Sequence, residues 1–203
     1  MNDILDGYAA AATPELIERY EAFDPVALYA PVLDLLPQTP GRVADIGTGT
    51  GRDAAWFAGQ GHRVLAVEPV RALREAGMSR HGDKGLTWLN DTLPELAATR
   101  QHGPFDLVTL NGVWQHIDEA ARAIALPVLA GMLAPGGRLV LALRHGAGAA
   151  GRPAFPICDD DTIAAAAGCG LILLRCREAG SHQAANRALG VRWTWMVFER
   201  PLA

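Results

Sequence analysis

The residues of this chain that are best suited to hold a ligand are three glycines in the stretch VADIGTGTGRDAAWFA, residues 43–58. Gly47, Gly49 and Gly51 lie between an apolar run and a helical pattern. Glycine adopts positive φ angles without steric cost and leaves no Cβ between the backbone and a ligand. The helix that follows directs its N-terminal N–H groups to the same place. The stretch therefore predicts a turn in which a cofactor lies against bare backbone.

A carboxylate ends the next predicted strand, because the run RVLAV is followed by Glu68. In dinucleotide-binding folds, an acid at this position accepts hydrogen bonds from the hydroxyls of a ribose. The expected ligand is therefore a nucleoside derivative.

The dinucleotide pattern GxGxxG or GxGxxA is an alternative, since Gly49, Gly51 and Ala54 match its second form. The first glycine of that pattern makes the turn directly at the strand end, whereas this match begins two residues after Gly47. Counted from Gly47, the third position is Arg52, which does not fit. The position of the glycines relative to the strand end therefore favours another nucleoside cofactor. An NAD-dependent oxidoreductase is the second hypothesis.

Asp45 precedes the glycines and gives Asp-x-Gly-x-Gly-x-Gly, which resembles the first motif of class I S-adenosylmethionine-dependent methyltransferases. Further segments resemble later motifs of that family in family order: VLAVEP, LNDTLPEL, PFDLVTLNGVWQHI and LAPGGRLVLAL. Together these elements span residues 42–144. The resemblance implies methyl transfer as the activity and S-adenosyl-L-methionine as the cofactor. A non-catalytic nucleoside-binding scaffold of the same fold is a further alternative.

The resemblance also implies where the cofactor lies. The methionine part would lie on the backbone of the turn, with Asp45 holding its amino group and Arg52 its carboxylate. Glu68 would bind the ribose, Asp91 would face the adenine amino group, and Asn111 would lie near the methionine end. The full set of predicted cofactor-binding residues is Asp45, Gly47, Thr48, Gly49, Gly51, Arg52, Glu68, Pro69, Asp91, Thr92, Leu93 and Asn111.

Methyl transfer from a sulfonium is an in-line displacement, so the enzyme must align acceptor, methyl group and sulfur and exclude water. A hydroxyl or protonated nitrogen acceptor benefits from a base, for which histidine is the usual residue. His116 and His145 follow the fourth and fifth predicted strands and are the candidate catalytic residues. The alternative for each is a surface or helix-capping histidine. The other histidines show no metal-ligand spacing, so no metal is predicted.

Four residues are candidates for the acceptor pocket: Tyr8, Trp114, Arg144 and Arg152. Tyr8 lies in the N-terminal helices, which in similar methyltransferases fold over the cofactor. Trp114 is expected either to wall the pocket or to pack in the core. The two arginines border a loop rich in Gly and Pro over 144–160, where they would attract an anionic acceptor or be solvated.

Short apolar runs alternate with helical patterns from residue 42 onward, which is typical of βαβ units. The predicted strands are 42–46, 63–67, 86–90, 105–110, 138–143, 171–176 and 192–199. The last two are too close for a βαβ crossover, so they are predicted to be antiparallel. The fold class is α/β, a Rossmann-like, seven-stranded, mostly parallel sheet with helices on both faces. The resemblance implies strand order 3214576 with the last strand antiparallel.

The length of 203 residues predicts a single methyltransferase domain, 1–203. Within it, 1–36 would form an N-terminal helical cap, in which Pro14 and Pro25 begin helices after capping residues. Residues 42–144 would form the cofactor-binding core, and 145–203 the substrate-side loop and the terminal strand pair.

Composition narrows the classes of function. A net charge of -4 and scattered Lys and Arg residues argue against a nucleic-acid partner. Three cysteines without a CxxC pair suit a reducing cytoplasm. We find no secretory signal and no unbroken apolar run of the roughly 20 residues that a membrane span requires. We therefore expect a cytoplasmic protein that binds a small-molecule acceptor and no membrane.

Overall fold

A computed structural model describes residues 2–202 of the chain. Its centre is a seven-stranded sheet in the order β3-β2-β1-β4-β5-β7-β6. β7 is antiparallel to both of its neighbours, and the other strand pairs are parallel. The predicted fold class, strand order and antiparallel last strand are therefore confirmed. The strands are β1 (Arg42–Ile46), β2 (Arg63–Val67), β3 (Thr87–Leu89), β4 (Phe105–Asn111), β5 (Leu133–His145), β6 (Ile172–Gly180) and β7 (Arg192–Glu199).

The third to sixth predicted strands differ from the structure at one or both ends. The largest difference is in β5, which was expected to begin at Arg138 after a Pro-Gly-Gly turn. Pairing with β4 already starts at Leu133. The Gly136 N–H donates to the Arg200 carbonyl at 2.8 Å, and the Arg200 N–H donates to the Gly137 carbonyl at 2.9 Å. These hydrogen bonds with the segment after β7 keep the turn residues within the strand.

Three α-helices precede the sheet, and two of them begin at Pro14 and Pro25, as predicted. The side chain of Thr13 accepts the Leu16 N–H at the start of α2, and Asp24 accepts the Val26 N–H at the start of α3. None of the helices in the described part of the chain is long and apolar enough to cross a membrane. The α-helices are α1 (Asn2–Ala11), α2 (Pro14–Glu21), α3 (Pro25–Tyr29), α4 (Arg52–Gly59), α5 (Arg71–His81), α6 (Glu119–Gly131), α7 (Asp159–Gly168) and α8 (Ala184–Ala188).

Alternate residues of the strands pack against helices on opposite faces of the sheet. On one face, Ala44 of β1 belongs to a core cluster with Leu126 of α6 and Ala166 of α7. On the other face, Val43 belongs to a cluster with Phe57 of α4 and Tyr29, the last residue of α3. Because helices cover both faces, a ligand has access at the strand ends.

Tyr29 attaches the N-terminal helices to the sheet. Its side chain is fully buried and stacks on Trp56 with ring centroids 5.4 Å apart. The ring also meets Phe57 and Trp195 edge-on, at centroid distances of 5.6 and 5.1 Å. Its hydroxyl donates a long hydrogen bond of 3.4 Å to Asp53. Aromatic packing is therefore the main contribution of this residue.

Replacing Tyr29 by Ala should lower the free energy of unfolding by about 3–5 kcal/mol, since truncating a large buried aromatic leaves a cavity. The Tyr29→Phe variant keeps the ring and should lose about 1 kcal/mol or less. Urea unfolding followed by circular dichroism measures both. An equal loss in the two variants would show that the hydroxyl, and not the ring, attaches the helices.

Candidate functional site

A cavity of about 350 Å³ opens at the carboxyl ends of β1, β2 and β4. Ligands of open α/β sheets bind at this edge. The helices α1 and α2 form its other side through Ile4, Leu16 and Tyr20. The predicted site residues that the structure brings together around this cavity are Tyr8, Asp45, Gly47, Thr48, Gly49, Arg52, Glu68, Pro69, Asp91, Thr92, Leu93, Asn111, His116, Arg144 and Arg152.

The glycine turn forms one wall of the cavity. Gly47 and Gly49 have φ angles of 68° and 61°. The Val67 carbonyl accepts the N–H groups of Gly47 and Thr48 at 2.8 and 3.0 Å, which ties the turn to the end of β2. A Cβ on Gly47 would lie 2.5 Å from a methyl carbon of Val113. Both the φ angle and this contact therefore require glycine at position 47.

Glu68 connects the turn to the strand that follows it. Its side chain is 4% exposed, and its carboxylate accepts the N–H groups of Gly49 at 2.8 Å and Val70 at 2.7 Å. Burial raises the pKa of Glu68 to about 7, because desolvation of the charged form outweighs these two hydrogen bonds. A carboxylate has acceptor positions beyond those two. Glu68 is therefore placed to accept hydrogen bonds from a ribose as well.

Asp45 lies beneath the turn with 2% exposure. Its Oδ2 accepts the Thr48 hydroxyl at 2.5 Å, and its Oδ1 accepts the Thr109 hydroxyl at 2.8 Å. Burial, together with the nearby Asp53 carboxylate, raises the pKa of Asp45 to about 6. A cationic group bound here would favour the charged form of Asp45 and relieve the repulsion between the carboxylates.

Asp53, in the first turn of α4, forms hydrogen bonds with several side chains of the cavity wall. It accepts hydrogen bonds from Arg52 Nε at 2.7 Å and from Asn111 Nδ2 at 3.0 Å. Arg52 also donates to the Tyr20 carbonyl at 2.7 Å and so attaches α2. One guanidinium thus faces two carboxylates, those of Asp53 and Asp45. This part of the cavity therefore has net negative charge when both are ionised, which suits an amino group or a sulfonium.

The loop after β3 brings Asp91 to the cavity. Its Oδ1 accepts the Thr92 N–H at 2.9 Å. Its Oδ2 accepts both the N–H and the hydroxyl of Thr99, each at 2.7 Å. These bonds fix the direction of the carboxylate and hold Thr92 and Leu93 against the cavity. The predicted adenine-binding residues are thus a single hydrogen-bonded unit.

His116 lies between α1 and the loop that follows β5. Its Nδ1 is 2.9 Å from the Pro153 carbonyl, an acceptor, so we assign the ring proton to Nδ1. The Nε2 atom then accepts the Tyr8 hydroxyl proton across 2.9 Å. Burial lowers the pKa of His116, and the positive charges of Arg152 and Arg144 lower it further. The imidazole is therefore neutral and presents its basic nitrogen to α1.

Three predicted site residues lie away from the cavity wall. Gly51 is the N-cap of α4, with a φ of 83°, and a Cβ there would lie 2.5 Å from an indole of β3. Trp114 is 1% exposed and belongs to the hydrophobic core. His145 Nε2 contacts the Thr194 hydroxyl at 3.0 Å and the Asp159 carboxylate at 3.2 Å. Trp114 and His145 therefore stabilise the core and the junction of β5 with β7, instead of lining the pocket.

A family model described as a methyltransferase domain matches residues 17–199. The match begins within α2 and extends to the end of β7, so it includes the glycine turn and the whole sheet. This chain belongs to that methyltransferase family. The resemblance to class I methyltransferases is therefore confirmed, and an NAD-dependent oxidoreductase is not favoured.

Curated relatives of this chain include protein-L-isoaspartate O-methyltransferases. The one from Methylorubrum extorquens (strain PA1) is 31% identical over 140 residues, which are 68% of this chain and 58% of that protein. The one from Stenotrophomonas maltophilia (strain K279a) is 30% identical over 106 residues, with 52% of this chain and 44% of that protein covered. The chain spans about half the length of the curated relatives it matches.

Solved methyltransferases share the fold at low sequence identity. One is the 1,6-didemethyltoxoflavin-N1-methyltransferase of Burkholderia thailandensis, with 1,6-didemethyltoxoflavin and S-adenosylhomocysteine bound. It has a TM-score of 0.67 and 21% identity, over 98% of this chain and 84% of that chain. The N-methyltransferase NodS of Bradyrhizobium japonicum WM9 has a TM-score of 0.64 and 17% identity, over 92% of this chain and 97% of that chain. Both likenesses confirm the Rossmann-like fold.

Sequence reasoning missed several residues that line the cavity. A carboxylate in the first turn of a helix is usual, so the residue type at position 53 carried no further signal. Trp193 packs partly against the core cluster that contains Trp195. It lies near the start of β7, and because β7 is antiparallel, this end of the strand lies beside the carboxyl end of β5 and hence at the cavity. Lining residues outside the predicted set include Asp53, Gln115 and Trp193.

The raised pKa of Glu68 predicts a pH dependence of stability. Its carboxyl group ionises at an ordinary pKa of 4.5 in the unfolded chain and at about 7 in the folded one. Its contribution to the free energy of unfolding is therefore fully present below pH 4.5 and is lost as the pH rises to about 7. Urea unfolding of the wild type and Glu68→Gln across this range should give a difference that falls with pH. A constant difference would show that Glu68 ionises normally.

Proposed function

We propose that this chain is an S-adenosylmethionine-dependent methyltransferase that transfers a methyl group to an oxygen or nitrogen of a small molecule. The observation that carries the proposal is one cavity lined by two different groups of residues. Glu68 and the glycine turn form one group, and a neutral His116 bonded to Tyr8 forms the other. The first group fits a nucleoside that carries a cationic centre, and the second fits a nucleophile that must lose a proton.

S-adenosyl-L-methionine supplies an electrophilic methyl group when it is bound. In our proposal its amino group lies at Asp45, its ribose at Glu68 and its adenine amino group at Asp91. The bare backbone at Gly49 supports this assignment, since the atom nearest to a Cβ built there is on the Tyr20 ring, 3.9 Å away, which leaves the backbone open to the cavity. The negative charge beneath the turn supports a cationic sulfonium nearby. Arg52 pairs with a protein carboxylate and contributes by holding that charge in place.

The protein's own residues align the acceptor and take its proton. The Pro153 carbonyl holds the His116 ring, so that Nε2 stays unprotonated and aimed at the Tyr8 hydroxyl. An acceptor that donates its O–H or N–H to the Tyr8 oxygen would lose its proton to Tyr8 while Tyr8 passes its own proton to Nε2, which leaves the acceptor atom free to take a methyl group. The helices α1 and α2 cover one side of the cavity and reduce the access of water to it.

The cover of the cavity supports a small acceptor. Gly7 of α1 packs so closely against the loop after β5 that a Cβ on it would lie 1.8 Å from the Gly151 carbonyl oxygen. This contact covers part of a cavity of about 350 Å³, which has to hold the cofactor together with the acceptor and therefore favours a small acceptor. The Burkholderia thailandensis relative holds 1,6-didemethyltoxoflavin, whereas the isoaspartate O-methyltransferases are named for a protein acceptor. We favour the first kind of acceptor.

Our proposal includes one domain over 1–203, of which residues 1 and 203 lie outside the described part. It also includes the cap at 1–36, the cofactor-binding core at 42–144 and the substrate-side segment at 145–203. We propose a cytoplasmic location, for which the free thiols of Cys158, Cys169 and Cys176 are the support. The net charge of -4 supports the proposal that no nucleic acid is bound.

Isothermal titration with S-adenosylmethionine, S-adenosylhomocysteine and NAD tests the cofactor. We expect saturable one-site binding of the first two and none of NAD. The Glu68→Gln variant should bind S-adenosylhomocysteine roughly 10- to 100-fold more weakly, because a hydrogen bond to a charged group contributes about 1.5–3 kcal/mol.

Glu75→Gln is the matched control, since Glu75 is 58% exposed on α5 and pairs with Arg71. This control should bind like the wild type. Binding of NAD alone would overturn the proposal. Tight binding of S-adenosylhomocysteine without turnover of any acceptor would favour the non-catalytic scaffold.

An acceptor screen tests the role of His116. Production of S-adenosylhomocysteine is measured with a panel of hydroxylated and amino small molecules and with an isoaspartyl peptide. For the small molecules that react, His116→Gln should lower kcat by roughly 10²- to 10⁴-fold. His116 must be neutral to act as a base, so the wild-type rate should fall as the pH drops through its pKa, which lies below the ordinary 6.5.

That pH dependence should disappear in His116→Gln. The exposed His102 provides the control variant His102→Gln, which should keep the wild-type kcat and pH profile. A large loss of turnover in His145→Gln combined with normal turnover in His116→Gln would show that His145, and not His116, is the base. If only the isoaspartyl peptide is methylated, the acceptor is a protein and not a small molecule.

A further inference from the structure

Arg144 and Arg152 bring two positive charges to the cavity. Arg144 Nη1 donates to a loop carbonyl at 2.7 Å. The Arg152 guanidinium lies 5.0 Å from the centre of the Tyr8 ring, and its Nη1 is 3.5 Å from the Tyr20 hydroxyl. Within residues 2–202, neither guanidinium forms an ion pair with a carboxylate.

The Nε–H group of Arg152 is the atom that points to a ligand. It is buried, and no residue in the described part of the chain accepts its hydrogen bond. Leaving a buried donor without an acceptor costs about 1–3 kcal/mol, and more when the group is charged. A carboxylate or phosphate accepts hydrogen bonds from the Nε–H and an Nη–H of one guanidinium at the same time.

Three other partly buried arginines of this chain have acidic partners, whereas Arg74 and Arg122 donate to main-chain carbonyls. Burial lowers the pKa of Arg144, and the positive charge of Arg152 lowers it further, as expected for two like charges close together. Arg144 and Arg152 have no acidic partner among the described residues and lie close to each other in one cavity. The paired arginines are Arg52 with Asp53, Arg138 with Glu199, and Arg175 with Asp34.

Within the described residues, the carboxylates that line the cavity accept hydrogen bonds from other groups and do not form ion pairs with these two arginines. Each accepts hydrogen bonds from the turn, from α4 or from the neighbouring loops. The cavity therefore contains acids that are held by other groups and two arginines that have no acidic partner in the described part of the chain. These acids are Asp45, Asp53, Glu68 and Asp91.

We propose that the methyl acceptor carries an oxyanion, a carboxylate or phosphate group, which binds to Arg152 and Arg144 and directs the acceptor's nucleophilic O–H or N–H to Tyr8 and His116. The oxyanion is a handle for binding and is not itself methylated. This inference rests on the proposed methyltransferase function and names its substrate class. Arg152 and Arg144 are then the residues that select acceptors by charge.

Titration with matched pairs of probes tests the inference. The pairs are 4-hydroxybenzoate with 4-hydroxybenzamide and phenyl phosphate with phenol, and inorganic phosphate is added as a fifth probe. Each is titrated into the protein with and without S-adenosylhomocysteine. We expect the anionic member of at least one pair to bind tenfold or more tightly than its neutral partner. The pair that shows the larger ratio distinguishes a carboxylate handle from a phosphate handle.

Variants assign the preference to the arginines. Arg152→Gln should abolish the preference for the anion and leave the affinity for the neutral probe unchanged, while Arg152→Lys should restore part of it. Arg71→Gln removes a charge that is 82% exposed on α5 and should behave like the wild type. S-adenosylhomocysteine affinity, which no arginine variant should change, verifies that each variant is folded.

Three results would overturn the inference: equal binding of both members of every pair, an undiminished anion preference in Arg152→Gln, or alkali-labile methyl esters as the product of turnover. The last result would mean that the carboxylate is the nucleophile. Failure of S-adenosylhomocysteine to bind would contradict the proposed function instead, and the titrations without it would still report the anion preference.

Discussion

The hydrogen bond from the Gly49 N–H to the Glu68 carboxylate joins the ends of β1 and β2, and the rest of the site depends on this junction. Parallel pairing of the two strands brings their carboxyl ends to one edge, and the Val67 carbonyl then closes the turn through two further bonds. The positive φ angles of the turn open its backbone to the cavity. This arrangement buries the Glu68 carboxyl group, whose pKa rises to about 7. Such a perturbed group in a cavity is typical of a functional site.

The cavity contains charges of both signs. At the turn, Arg52 compensates the Asp53 carboxylate and also attaches α2 through the Tyr20 carbonyl. This one guanidinium therefore couples the electrostatics of the turn to the position of the covering helix. In the same cavity, the buried Nε–H of Arg152 has no acceptor among residues 2–202. A buried polar group without a partner is unfavourable for folding, which is why we propose an anionic ligand for Arg152.

The covering helices are positioned by packing far from the reacting atoms. Tyr29 anchors α3 within an aromatic cluster on one face of the sheet. Two helices earlier, Gly7 permits α1 to touch the loop after β5, and this approach brings the Tyr8 hydroxyl to His116. The acceptor end is thus assembled from two segments that are distant in sequence. That construction explains how one sheet supports methyltransferases with different acceptors.

The sequence by itself determined the sheet and the cofactor end, because both follow from local patterns. The glycine turn, Glu68 and Asp91 each end a short apolar strand, and the parallel order of such strands places their carboxyl ends together. Tertiary structure alone decided the acceptor end. Nothing in the sequence near His116 indicates that Nδ1 binds the Pro153 carbonyl, or that Trp114, two residues earlier, turns into the core. These outcomes depend on contacts between segments far apart in the chain, which local residue patterns do not encode.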